Sequence, residues 1–121
     1  MPRFVLLEHD WGVVHWDFML ESGEGLRTWA IDRPIEPGVD LPARALGDHR
    51  PFYLDYEGEV SGSRGRVRRL DRGNYVPLIW SADRVRAILE GSQLVGEVEL
   101  RQVVSGSDVA VSWNFRIGNL D

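Results

Sequence analysis

Three side chains near the N-terminus have the types and spacing of a metal site. His15 and Asp17 lie two residues apart in a segment of alternating polar and apolar residues, and His9 precedes them by six positions. On a β-strand, residues i and i+2 project from the same face with their Cα atoms about 7 Å apart. Two imidazoles and a carboxylate leave coordination positions open for water and substrate. The pattern predicts a divalent-metal site, although a solvated strand face can show the same spacing.

A second group of polar residues surrounds the third histidine, His49. It stands between Asp48 and Arg50 in a segment typical of a loop, and Tyr53 follows four positions later. Imidazole and phenol groups both donate hydrogen bonds to phosphate oxygens, so this pair beside a metal would suit phosphate chemistry. A histidine in a loop is also common on a surface without any catalytic role, and the pattern alone leaves both alternatives open.

The elements that must position the first group are strands. Residues 4–7, 13–21 and 26–31 have strand character and are separated by glycine-containing turns, which predicts an N-terminal meander. In the second of these runs one face carries His15 and Asp17, and the other carries four apolar side chains. The apolar face suffices for a core, so the polar face need not be buried, and it could equally line a barrel mouth or a cleft.

Most of the remaining chain is also predicted as strand. Residues 33–42 contain three prolines and form a loop, since proline cannot donate to a strand ladder. Residues 45–57 are irregular in pattern and rich in aromatic side chains. The further predicted strands are residues 58–60, 66–70, 75–80, 94–104 and 109–116, the last two joined by a turn at 105–108.

One helix and one further turn complete the predicted elements. Residues 82–90 are predicted as a helix that Ser81 caps and Gly91 ends. Residues 71–74 are predicted as a turn. Eight or so short strands with one short helix indicate a mainly β fold, a small closed β-barrel.

The length, cysteine content and charge of the chain limit the classes of protein to which it can belong. The chain has 121 residues, which predicts a single domain over residues 1–121, and it has no cysteine for disulfides, thiolate metal sites or nucleophiles. It contains no apolar run of membrane-spanning length and no signal-peptide pattern, so we expect a cytoplasmic monomer without a membrane partner. The net charge is −5, so any contact with nucleic acid requires a local basic patch.

Several motifs resemble, in order, the 3′-phosphoesterase domain of bacterial DNA ligase D. Residues 4–21 (FVLLEHDWGVVHWDFMLE) resemble that family's apolar strand, its two histidines six positions apart and its aromatic-Asp-Phe-Arg-Leu-Glu sequence. The spacing of Asp48, His49 and Tyr53 matches the family's D-H-P-L-x-Y. The likeness spans roughly residues 3–116 and also includes residues 26–31 (LRTWAI), the proline-bearing loop 33–42, Glu57-Gly58 and residues 71–75.

The resemblance implies a specific activity and a set of roles. It implies a Mn²⁺-dependent enzyme, or one using another divalent metal such as Zn²⁺, that removes a 3′-phosphate or a 3′-ribonucleotide from DNA or primer strands during DNA repair. His9, His15 and Asp17 would hold the metal, and His49 and Tyr53 would contact the phosphate and act in catalysis. The implied partners are nucleic-acid 3′ ends and a separate ligase or polymerase.

The sequence departs from the family at Met19, where the family has an arginine that would hold the phosphate. Loss of a charged contact made in the transition state commonly costs several kcal/mol, about as much as one oxyanion donor. The candidate replacements are Arg50 and two arginines of a basic segment, Arg64 and Arg66. That segment, which includes Arg68, could equally form a solvated outer face, which is the usual place for charges on strands.

Three functions are compatible with these residues. The first is an active phosphoesterase on 3′ ends, and the second is a catalytically degenerate member that binds metal, phosphate or nucleic acid without turnover. The third is an unrelated iron(II) oxygenase, because His15, Asp17 and the distant His49 also fit its facial triad. We place the third last, since the chain is short for that fold and offers no assignable cosubstrate arginine.

Overall fold

The chain folds into strands that run antiparallel to their neighbours. The computed structural model describes residues 1–103 and 112–118, and within these residues the single helical element is the 3₁₀ turn Pro51–Leu54. The nine strands are β1 (Arg3–Trp11), β2 (Val13–Ser22), β3 (Gly25–Ile31), β4 (Leu41–His49), β5 (Gly58–Glu59), β6 (Arg66–Trp80), β7 (Arg84–Gly91), β8 (Val95–Val103) and β9 (Ser112–Ile117).

Eight of the strands close into a barrel. Their order is β1-β2-β3-β4-β9-β8-β7-β6, and β6 returns to pair with β1. The 15-residue β6 can do this because its first part pairs with β1 and its last part with β7. The two-residue β5 pairs with the start of β6. The predicted mainly β fold, a closed barrel of about eight strands, is confirmed, and closure pairs both edges of the sheet.

The barrel interior holds the main hydrophobic core. Side chains alternate between the two faces of each strand, so every second residue points inward. The largest inward side chains are fully buried, among them Trp29, Phe4, Phe18 and Phe115. The predicted N-terminal meander is confirmed, and the apolar face of β2 with Phe18 and Leu20 is the one that enters this core.

A second, smaller hydrophobic cluster lies on the outside of the barrel. The opposite faces of β1 and β2 contribute Val5, Leu7 and Met19, while Leu54 and Val60 come from the segment that links β4 to β6. Tyr53 and Tyr56 of the same segment pack against it. We call residues 50–65 the cover. The cover and the outer face of β1 and β2 therefore enclose a separate layer, and the predicted site residues lie beside it in a cleft.

The predicted helix over residues 82–90 is wrong, because these residues form β7. Val85, Ala87 and Leu89 are fully buried at every second position, which is a strand period. The capping signal at Ser81 does correspond to a real hydrogen bond: its Oγ accepts the backbone N–H of Arg84 at 3.1 Å. Such local bonds serve tight turns as well as helix caps, and here the bond closes the β6–β7 hairpin.

The predicted turn at residues 71–74 is also wrong, because these residues lie inside β6. Gly73 is needed there for a close approach: a Cβ would lie 2.1 Å from the carbonyl oxygen of Glu90 on β7. Asp71 is 6% exposed and accepts the backbone N–H groups of Ser92, Gln93 and Leu94 at 2.7–3.1 Å. The aspartate and glycine thus serve strand packing and the β7–β8 turn.

The middle and C-terminal segments match the predictions in part. The proline-rich stretch is a connection, but β4 begins at Leu41 and continues to His49, where an irregular segment was expected. Strands β8 and β9 pair as the predicted final hairpin, while its turn at 105–108 and the start of its second strand lie outside the described residues. No helix among the described residues has the length and apolar character to cross a membrane.

Candidate metal and phosphate site

The three predicted metal ligands meet on the outer face of β1 and β2. His9 and His15 are directly opposite each other across this antiparallel pair, and Asp17 follows His15 on the same face of β2. One ligand atom from each residue lies within 4.8 Å of the other two. Nε2 of His15 is 3.0 Å from Oδ1 of Asp17, and Nδ1 of His9 is 3.6 Å from Oδ2 of the same carboxylate. The register of the β1–β2 hairpin therefore brings two imidazoles and one carboxylate together at one point.

The orientation of His9 is fixed by the cover. Its Nε2 lies 2.7 Å from the carbonyl oxygen of Arg64. A carbonyl oxygen can only accept, so Nε2 carries a proton and Nδ1 is the ring nitrogen that faces Asp17. Metal-binding histidines usually have this arrangement, in which the second ring nitrogen donates to a carbonyl or carboxylate. A cation between Nδ1 and the facing carboxylate oxygen would be coordinated by both.

Asp17 is a buried carboxylate that lacks ordinary hydrogen-bond partners. The residue is 3% exposed, and Oδ1 has no hydrogen-bond partner among the described residues. Its charged neighbours are the imidazoles of His15, 3.0 Å from Oδ1, and of His9, 3.6 Å from Oδ2. The pairing with Asp17 raises the pKa of His15, against the lowering effect of burial. A buried carboxylate oxygen without a hydrogen bond is costly, so these residues fit a cation.

A cavity of about 300 Å³ adjoins the carboxylate and brings in the second group of predicted residues. His49 arrives at the end of β4, and the 3₁₀ turn supplies Tyr53, with the two ring centroids 5.8 Å apart. Nδ1 of His49 lies 2.9 Å from the carbonyl oxygen of Gly47, which leaves Nε2 for a ligand. The cavity is lined by His9, Trp11, Asp17, Met19, Asp48, His49, Arg50, Tyr53, Val60, Arg64 and Val67.

The three predicted phosphate-binding arginines have different positions. Arg50 and Arg64 line the cavity, whereas Arg66 is exposed and does not. The guanidinium of Arg64 is held against Ser61 of the cover, where its Nε donates to the carbonyl oxygen at 2.7 Å and its terminal nitrogen donates to the hydroxyl at 3.2 Å. Arg64 precedes β6 in a turn, so the strand alternation that would group it with Arg66 and Arg68 does not extend to it. Arg68 faces outward and pairs with Glu8 at 3.2 Å.

Met19 forms an apolar part of the cavity wall. Its side chain is 1% exposed and packs in the outer cluster with Val5 and Leu7 of β1 and Leu54 of the cover. The site therefore holds a buried thioether where the resembling domain has a cation. The two arginines that line the cavity, Arg50 and Arg64, both belong to the cover.

Sequence reasoning missed one prominent residue of the cavity wall. Trp11 lines the cavity and is 57% exposed. Its ring lies nearly parallel to that of His9, with an interplanar angle of 12° and centroids 6.4 Å apart. The signal was available, because Trp11 and His9 are separated by two positions and share one face of the first strand.

Comparison with known proteins assigns the chain to a family. Residues 7–102 match the family model of the DNA ligase D 3′-phosphoesterase domain. The chain belongs to this family, as its motifs predicted, which sets aside the iron(II) oxygenase alternative. It is also similar to the multifunctional non-homologous end joining protein LigD of Pseudomonas aeruginosa, with 33% identity over 81 residues. That match covers 63% of this chain and 10% of the relative, so the chain spans only about a tenth of the relative's length.

Proposed function

We propose that this chain is a metal-dependent phosphoesterase that removes a 3′-phosphate or a 3′-ribonucleotide from DNA or primer strands in end-joining repair. The observation that carries the proposal is the buried Asp17 carboxylate, which converges with His9 and His15 beside a cavity containing His49 and Tyr53. Family membership supplies the class of chemistry. The name of the Pseudomonas relative supports a role in end joining, with a separate ligase or polymerase completing the repair.

His9, His15 and Asp17 would hold the divalent metal, Mn²⁺ or another such as Zn²⁺. When bound, the ion would polarise the phosphate and lower the pKa of a coordinated water. The chain itself prepares this site in two ways. The Arg64 carbonyl fixes the ring of His9 with Nδ1 toward Asp17, and the hairpin register places His15 on the other side of the same carboxylate. The ligands are thus oriented before any ion arrives.

The cavity residues would bind the phosphate and serve the leaving group. Water adds to phosphorus and the bond to the 3′ oxygen breaks, so this oxygen needs a proton to leave as a hydroxyl. His49 uses Nδ1 for the Gly47 carbonyl, and its Nε2, when protonated, would supply that proton. Tyr53 would donate a hydrogen bond to a phosphate oxygen, while Arg64 and Arg50 would offset the negative charge that develops on the phosphate.

The test uses a 5′-labelled strand that ends in either a 3′-phosphate or a single ribonucleotide. With Mn²⁺ present, we expect the wild-type chain to yield a strand with a 3′-hydroxyl, while His49→Ala yields little product. Glu24→Ala is a matched surface control, since Glu24 is exposed in the β2–β3 turn and does not line the cavity. Absence of product from both substrates at excess enzyme would refute the proposed activity.

A second candidate function, binding of metal and phosphate without turnover, is favoured by Met19. A buried thioether in the cavity wall cannot provide the charge that the family's arginine provides. If this alternative holds, the wild-type chain binds Mn²⁺ and inorganic phosphate by calorimetry but forms no product. Met19→Arg would then gain turnover, provided that its melting temperature shows that the outer cluster tolerates the larger side chain. Turnover by the wild-type chain would exclude this alternative.

A further inference from the structure

We propose that Trp11 stacks on the nucleobase of the nucleotide that enters the cavity and so positions the 3′ end. This inference rests on the proposed function, because it assigns the part of the substrate beyond the phosphate. Trp11 is the most exposed large aromatic side chain among the described residues, yet it stands at a cavity wall rather than on a remote surface. The indole is stacked near His9 yet still 57% exposed, and nucleobases are flat groups that stack on such an exposed aromatic surface.

The position of Trp11 suits a base whose phosphate occupies the cavity. Its ring centroid is 6.4 Å from that of His9, and Nδ1 of His9 lies 3.6 Å from a carboxylate oxygen of Asp17. The sugar of one nucleotide spans a comparable separation between a phosphate and its own base. A phosphate held beside His9 and Asp17 would therefore place the attached base at the indole.

The backbone of Trp11 is held by close contacts on two sides. Trp11 pairs with Val13 across the tight β1–β2 turn, where Gly12 has φ +78°. The cover packs against the other side: a Cβ at Gly65 would lie 2.0 Å from the carbonyl oxygen of Asp10 and 2.9 Å from Cα of Trp11. A tryptophan on such a backbone has only two side-chain torsions to order on binding, which keeps the entropic cost low.

The surrounding charges favour nucleic acid over a protein partner at this place. Although the chain carries a net charge of −5, the cavity that Trp11 lines includes Arg50 and Arg64 as well as the acidic Asp17 and Asp48. Arg50 lies over the ring of Phe52, 5.2 Å from its centroid, and Phe52 is 47% exposed. Aromatic faces interleaved with arginines are the usual composition of single-strand binding surfaces, where stacking tolerates any base.

The expected effect is on binding rather than on the chemical step. Loss of one base–aromatic stack weakens binding by about 5- to 100-fold. Trp11→Ala should therefore raise the Kd and KM for a 3′-phosphorylated strand by this factor and leave kcat within about twofold. Trp11→Phe keeps an aromatic face and should lose much less. Val13→Ala is the matched control, because Val13 is 79% exposed on the same hairpin and does not line the cavity.

The experiment measures anisotropy of 5′-fluorescein-labelled strands that end in a 3′-phosphate, with either a base or an abasic sugar as the last nucleotide. We expect Trp11→Ala to bind the base-bearing strand more weakly than wild type and the abasic strand equally well. Because binding is read without turnover, a wild-type chain that forms no product but shows this pattern would refute the phosphoesterase and support the stack. Equal weakening on both strands, or no weakening, would overturn the stack, and in the latter case Trp11 would be free to dock a protein.

Discussion

The carbonyl oxygen of Arg64 accepts the Nε2 proton of His9 at 2.7 Å, and the same residue lines the neighbouring cavity. The main chain of Arg64 thus orients a candidate metal ligand, while its side chain is the phosphate contact that we propose. These two roles can be separated by mutation, because removal of the side chain leaves the carbonyl in place.

Arg64→Ala is predicted to weaken phosphate binding while preserving metal binding. A hydrogen bond to a charged group contributes about 1.5–3 kcal/mol, so the affinity for inorganic phosphate should fall about 10- to 100-fold. Titration calorimetry with Mn²⁺ should give the wild-type affinity, and Arg66→Ala is the control because Arg66 lies outside the cavity. A parallel loss of Mn²⁺ affinity in Arg64→Ala would contradict the separation of roles.

His15→Ala and His49→Ala are predicted to affect different steps. His15 belongs to the ligand set, so its loss should reduce Mn²⁺ affinity by more than the 10- to 100-fold typical of an outer-shell change. His49 is not in that set and should leave Mn²⁺ affinity unchanged. The melting temperature gives an independent measurement, because Mn²⁺ at about 100 times its Kd stabilises the folded chain by about 2.7 kcal/mol. If neither Mn²⁺ nor a chelator changes the melting temperature of the wild-type chain, the proposed metal site is ruled out.

Asp71→Ala is predicted to lower the free energy of unfolding by about 2–4 kcal/mol. The carboxylate accepts three consecutive backbone N–H groups of the turn between β7 and β8, and removal of a charged acceptor leaves these donors without partners. Urea unfolding followed by tryptophan fluorescence measures the loss. Asp32→Ala should change stability by less than about 0.5 kcal/mol, since it removes only an exposed ion pair. Similar losses in the two variants would show that the turn bonds contribute little.

Tyr75 is predicted to make stability fall at alkaline pH. Burial raises the pKa of Tyr75 in the folded chain, with a further contribution from the charge of Glu21. A group whose pKa is raised on folding contributes stability below its unfolded pKa, about 10, and this contribution is lost as pH rises toward the folded pKa. Its hydroxyl donates to the carbonyl oxygen of Glu21 at 2.6 Å.

The variant that tests this titration is Tyr75→Phe. At neutral pH it should be less stable by about 1 kcal/mol, the net value of one hydrogen bond. Above pH 10 the difference from wild type should shrink, because only the wild type has a phenol to ionise. Urea unfolding at the two pH values gives the comparison. A difference that stays constant or grows with pH would refute the burial effect.

The sequence predicted the barrel and most of the site because these depend on local alternation. A period of two along β1 and β2 places His9, His15 and Asp17 on the face opposite the core, and the motif spacing brings in His49 and Tyr53. The errors arose where tertiary partners decide the outcome. Ser81 has the same hydrogen bond in a hairpin as in a helix cap, and Gly73 is explained only by the backbone of the next strand.

The arrangement of the cavity also depended on contacts that the sequence does not reveal. The sequence left a barrel mouth and a cleft as alternatives, and the predicted residues lie in a cleft between the outer barrel face and a separate cover. The position of Arg64 follows from a turn with positive φ at Gly62, Ser63 and Gly65, which ends the alternation expected for the basic segment. Met19 was singled out from the sequence, but its burial in the outer cluster depends on the cover.

Because the cover rests on a smaller apolar cluster than the one inside the barrel, the two layers differ in local stability. Less buried apolar area means that the cover can detach at a lower free energy than the barrel needs to unfold. The part of the cavity wall with His9 and Asp17 belongs to the barrel, the more stable layer, while Arg64, Arg50 and Tyr53 belong to the cover. Amide hydrogens of the barrel strands that line the cavity should therefore exchange slowly, while those of the cover that line its other wall should exchange fast.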